Sequence, residues 1–135
     1  MGKNTNVFDY IEWRGDLTFW QSSFNEVDAL ILSIFAYLDF SFIKKEITFF
    51  KDAVRQINAM SEEQKFDGPG IIMEDIVALA NFAADSERFK DLGVFKYIDI
   101  TDEKLEIQFA VVTFLLPDTT AFLSFRGTDN TLVGW

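Results

Sequence analysis

The 135-residue chain has no cysteine, no histidine, two prolines and twelve basic residues against 22 acidic ones. Without cysteine there is no disulfide framework and no thiolate metal site, which leans the reading toward the cytoplasm. Without histidine, no Ser-His-Asp triad, imidazole base or His-ligated zinc can be completed within the chain. No metal or cofactor is expected. A formal charge of −10 argues against a nucleic-acid footprint and against anionic membrane surfaces. The longest uncharged stretches, Ala29–Leu38 and Ile107–Pro117, are shorter than the ~20 residues of a spanning helix, so no membrane span is expected. Met1–Asn6 leads into no apolar signal region.

What is present is an apolar chain, 49% hydrophobic with 16 phenylalanines, of a length that suits one domain. Residues 1–92 read as mainly helical and 93–135 as a β-meander with its closing loop. A short arm ends at the turn Arg14-Gly15-Asp16, a tripeptide shared with integrin ligands but common by chance beside turns. Ser23 and Glu26 have capping-box spacing ahead of the apolar run Val27–Phe40. Within that run Leu32 and Ala36 make a second apolar face, so this helix is expected at the centre of the core. A second helix is predicted over 44–60, with Ile47, Phe50, Val54 and Ile57 as its buried stripe. Ser61–Gln64 reads as a short helical turn, and Asp67-Gly68-Pro69-Gly70 breaks the chain. A third helix spans 73–84, extends toward Lys90 and stops at Gly93.

Beyond Gly93 the period changes from 3.6 to 2. Strands are predicted over 94–101, 105–116 and 120–126, joined by turns at 102–104 and 117–119. This is a three-stranded antiparallel meander which, seen alone behind the helices, makes the chain α+β. The second half of the long strand, from Ala110 to Leu116, is apolar on both faces, so layers are expected on both sides of the sheet. Thr131–Trp135 carries no charge and no helix stop, and the chain reads as the front part of something longer.

The third strand closes in Phe125-Arg126-Gly127-Thr128, with Trp135 seven residues on. Thr120–Trp135 resembles the strand and loop of class 3 (fungal-type) lipases, and the wider pattern is similar to an uncharacterised bacterial family of lipase-like α/β-hydrolases. That wider resemblance rests on Phe8–Asp16, Phe24–Leu30 and Thr113–Asp118 leading into the Phe-Arg-Gly-Thr segment. It implies a partial α/β-hydrolase-like fold over 1–135 and makes Thr128 the oxyanion residue, with Arg126, Gly127 and Trp135 supporting its loop. The chemistry agrees: a Thr past a strand end offers its N–H and hydroxyl together, and Gly127 lets the backbone approach a substrate. Arg126 is expected to pair with a carboxylate rather than touch substrate.

The chain departs from that pattern in lacking the Gly-x-Ser-x-Gly elbow, since Ser22, Ser23, Ser33, Ser41, Ser61, Ser86 and Ser124 all lack the flanking glycines. Asp99, Asp102 and Glu103 read as a solvated turn, and Glu74 and Asp75 as a helix start. Most phenylalanines belong to the core, with Phe40, Phe42, Phe49 and Phe50 as candidates to line an acyl pocket. Two functions follow. One is the N-terminal segment of a serine esterase or lipase-like hydrolase of acyl esters, holding half a site, inactive alone and prone to homo-oligomerise through an exposed sheet edge. The other is a non-catalytic α+β protein-interaction module.

Overall fold

The computed structural model describes residues 3–43, 46–60, 73–105 and 107–127. Four helices and four strands lie among them: α1 (Lys3–Arg14), α2 (Glu26–Phe35), β1 (Thr48–Phe49), α3 (Phe50–Asn58), α4 (Met73–Ala84), β2 (Gly93–Asp102), β3 (Ile107–Leu115) and β4 (Ala121–Arg126). The sheet is antiparallel in the order β1-β2-β3-β4, and the chain is an α+β arrangement. The Ser61–Gln64 turn and the Asp67–Gly70 break lie outside the described residues.

The sheet has four strands where the sequence predicts three. β1 is two residues long and so has no period to read. Its register is set by tertiary contact, Thr48 opposite Val94 and Phe49 opposite Gly93. The same segment then turns straight into α3, whose first N–H groups, on Phe50 and Lys51, donate to the carbonyls of Leu92 and Lys90 at 2.8 and 3.0 Å. Ile47 therefore leaves the predicted helical stripe and lies over Gly93, where a Cβ would come within 2.7 Å of the Ile47 Cγ2. Phe50, Val54 and Ile57 are buried as expected.

The capping box of α2 sits two residues later than the Ser23/Glu26 spacing predicts. Asn25, in extended backbone, accepts from the N–H groups of Val27 and Asp28 at 2.8 and 3.1 Å, and Asp28 accepts from the Asn25 N–H at 3.0 Å. The carbonyls of Ser22 and Ser23 are held instead by Arg88, so the chain there is a fixed turn rather than a helix start. α2 ends at Phe35 instead of running on to Phe40. Leu32 and Ala36 are buried as expected for a central element.

The aromatic rings knit the core. Phe35 stacks on Phe50 with centroids 5.0 Å apart, and Phe114 meets Phe40 and Phe50 edge-on. The inner face of the sheet packs on the helices through Val94, Val112, Phe114 and Phe122. At the β3–β4 turn the Leu116 N–H donates to the Thr120 carbonyl, and Thr119 takes a left-handed φ of 70°. The Thr120 hydroxyl and N–H hold the Asp118 carboxyl below its ordinary range.

The outer face differs. Register places Phe49, Gly93, Leu115 and Ala121 in one row, then Phe95, Thr113 and Leu123, then Ile98, Val111 and Phe125, then Ile100 with Phe109. Thr113 is buried between its neighbours, yet Phe49, Ile98, Ile100, Leu123 and Phe125 are exposed. The expectation that layers cover both sides of the sheet is not met among the described residues. Apolarity of both faces shows that a strand avoids water, not which element supplies the cover.

Candidate functional site

The oxyanion expectation falls on Thr128, which lies outside the described residues, as does Trp135. The strand that leads to it is described as far as Gly127. Alternation along β4 turns Phe122, Ser124 and Arg126 inward and Ala121, Leu123 and Phe125 outward. Ser124 is buried, and its hydroxyl donates to the Leu32 carbonyl at 2.8 Å. That bond ties β4 to α2 across 92 residues of sequence and satisfies a carbonyl near the helix end.

Arg126 does what its composition suggests. It is buried, and its Nη2 lies 3.6 Å from the Asp99 Oδ1. The reach is possible because Asp99, Ala110 and Arg126 stand in one row on β2, β3 and β4, and Ala110 is small enough for the guanidinium to pass over. Tyr37 is also close: burial raises its phenol above the ordinary 10.0, while the Arg126 cation pulls it down. The strand end before Gly127 is thus fixed by a hydroxyl at Ser124 and an ion pair at Arg126, whereas Gly127 itself is exposed.

The acyl-pocket candidates do not converge. Phe40 and Phe50 are fully buried core, Phe42 is half-buried against Phe40, and Phe49 faces outward on β1. Two concavities lie elsewhere. A groove of about 390 Å³ between α3 and α4 is lined by Lys51, Arg55, Asn58, Asn81, Asp85 and Lys90. Its cations face carboxylates, Lys51 with Asp91, Arg55 with Asp52 and Lys90 with Glu87, so it offers little net positive charge. A notch of about 80 Å³ lies among Phe19, Trp20, Phe24, Pro117 and Asp118.

The strongest polar constellation escaped sequence reasoning. Arg88 and Asp28 form a bidentate pair, Nε to Oδ1 at 2.9 Å and Nη2 to Oδ2 at 2.6 Å, with both side chains wholly buried. The remaining guanidinium donors reach the carbonyls of Leu17, Thr18, Ser22 and Ser23. The Arg88 guanidinium also lies 4.1 Å from the Phe19 ring centroid. Burial works against the Arg88 cation, but the hydrogen bond and charge of Asp28 overcome it and raise its pKa. The Tyr10 hydroxyl donates to Asp28 at 3.1 Å and accepts from the Asn25 amide at 2.8 Å. Burial raises the Tyr10 phenol, the Asn25 amide opposes that, and the Asp28 carboxylate adds to it.

Tyr10 and Gly15 from the segment 8–16 and Asn25 and Asp28 from the segment 24–30 all gather around Arg88. Gly15 joins because its carbonyl accepts the Arg88 N–H at 2.9 Å. A Cβ at Gly15 would lie 2.2 Å from the Ile11 carbonyl oxygen and 3.1 Å from the Ser86 Cβ. Every donor of the guanidinium is used and every group is partnered locally. The cluster braces the fold and leaves no group to attack a substrate. No sequence signal marked the pair, because an Asp in the first turn of a helix reads as a partner of the helix dipole, and nothing in Ser86-Glu87-Arg88 points to a buried cation.

Among the described residues no helix is long and apolar enough to cross a membrane, and no group of three acidic side chains is placed to hold a metal ion. No curated protein and no solved structure matches the chain. The chain is similar to a family described as Mbeg1-like, whose model matches residues 83–135, from the end of α4 through β2, β3 and β4.

Proposed function

We propose that the chain is the N-terminal segment of a serine esterase or lipase-like hydrolase of the α/β-hydrolase kind, acting on acyl esters in the cytoplasm. In this reading it supplies the oxyanion loop at Gly127 and Thr128 and not the nucleophile. The observation that carries the reading is the end of β4. Buried Arg126, held to Asp99, ends the strand at exposed Gly127, and Thr128 follows it in the sequence. Acyl transfer places negative charge on a carbonyl oxygen, and a fixed N–H and hydroxyl stabilise that charge best when they need not reorganise. Arg126 and Gly127 position the loop; Thr128 touches the substrate oxygen.

The test has two parts. A protein extended past Trp135 by its own reading frame should contain a Gly-x-Ser-x-Gly elbow followed by an acid and a histidine. In that protein Thr128→Val should lower kcat by ~10²–10³-fold with little change in KM. A missing elbow, or an unchanged kcat in the folded variant, overturns the reading. The 135-residue chain alone should hydrolyse p-nitrophenyl esters no faster than buffer, because it has no histidine and no elbow.

The outer face of the sheet favours the second reading, a non-catalytic α+β interaction module. Large apolar side chains stand exposed there on β1, β2 and β4, as an interaction surface would require.

A further inference from the structure

We infer that the outer face of the sheet is a self-association surface, on which a second copy of this chain seats its own outer face. The inference does not depend on the hydrolase reading. It goes beyond pairing at the open edge of β4, because it engages side chains on three strands rather than one strand's backbone.

The rows of the outer face carry no charged residue at any paired position from Phe49 to Ile100 and Phe109, although the chain as a whole carries −10. Leu123 is 55% exposed, Phe125 53%, Phe49 51%, Ile98 48% and Ile100 42%. Thr113, at the centre, is only 6% exposed, so the face is already packed side by side and presents a smooth apolar surface. Two cations reach it from the β1–β2 side, where the Lys51 and Lys96 Nζ atoms each lie 5.9 Å from a ring centroid, of Phe49 and of Phe95. Away from them a charged partner would lose hydration and find no counter-charge. A second copy brings an equally apolar set of paired rows, and its acidic remainder stays in water.

Area agrees with a modest dimer. About half of five large side chains amounts to on the order of 500 Å² per copy, or roughly 1,000 Å² for two, the lower bound of a specific interface. Two such faces stack as aligned sheets ~10 Å apart. Repulsion between two chains of −10 opposes this, and salt shortens its reach from ~10 Å at 0.1 M to ~3 Å at 1 M. Dimerisation should therefore strengthen as salt rises.

Sedimentation equilibrium of the full 135-residue chain from about 5 to about 200 µM, a range that brackets micromolar association, reads the result. A monomer–dimer equilibrium that tightens from 0.1 M to 1 M salt is expected. Ile98→Lys and Leu123→Lys, both at exposed positions and checked for folding by circular dichroism, should each weaken it by ~10-fold or more. Leu123 lies on β4, the last strand of the sheet, and Ile98 on the part of β2 beyond the reach of β1, so each variant sits near a different edge and only a face-to-face pair is weakened by both. A monomer at every concentration and salt overturns the inference. So does association that only one of the two variants weakens, which would mean pairing at that strand's edge, and so does a dimer that resists both.

Discussion

Around Arg88 the molecule buries charge and satisfies all of it; on the outer face of the sheet it exposes apolar surface and satisfies little of it. At the first place a carboxylate and four backbone carbonyls close on one guanidinium, and a phenol and an amide stand behind the carboxylate. At the second, leucine, isoleucine and phenylalanine stand half in water on three strands. The first region is complete within the chain, because each group meets its partner there. Among the described residues nothing covers the second. The N-terminal segments Phe8–Asp16 and Phe24–Leu30 thus brace the fold, while the capacity for interaction lies in strands that look like ordinary core.

The largest effect expected from breaking this contrast is at Asp28. Asp28→Asn removes the charge opposite a wholly buried Arg88 and should cost ~3–5 kcal/mol in urea unfolding. Replacing both partners by apolar residues should not restore stability, since the carbonyls of Leu17, Thr18, Ser22 and Ser23 would lose their donor. If the double variant proves as stable as the parent, the guanidinium is not what fixes the 17–23 turn.

Gly15→Ala comes next. Its methyl must displace the Ile11 carbonyl, a backbone atom at the end of α1, and overpacking of this kind costs ~1–3 kcal/mol by thermal or chemical unfolding. An unchanged midpoint would mean that the helix end gives way freely and that Gly15 is not needed for the approach to Arg88.

A smaller effect should follow from pH. Tyr10 and Tyr37 hold their protons more tightly when folded, chiefly because they are buried. Their contribution is full below the unfolded value of 10.0 and is lost as pH rises through the raised folded values. Denaturation midpoints should therefore fall above pH 10, and Tyr10→Phe should flatten part of that fall. A profile that Tyr10→Phe leaves unaltered would remove Tyr10 from the account.

The smallest effect sharpens the other side of the comparison. Leu123→Lys at the exposed outer face should change the stability of the monomer by no more than ~0.5 kcal/mol. Measured at low concentration and low salt, a loss of several kcal/mol would show that the face is covered within the chain.

Periodicity and turn chemistry by themselves determined most of the architecture. The 73–84 helix, the buried positions of α3 and the meander of β2, β3 and β4 follow from patterns within short windows, where side-chain spacing alone decides which face is apolar. Tertiary structure decided what depends on contact between distant segments. β1 exists because Leu92 and Lys90 offer carbonyls to the start of α3, and Asn25 rather than Ser23 caps α2 because Arg88 holds the turn before it. Arg88 chose Asp28 across sixty residues, and which face of β3 found cover was settled by where the helices pack. Local patterns record which groups must leave water. Only the folded chain settles which partner each one meets, because that depends on distances the sequence does not contain.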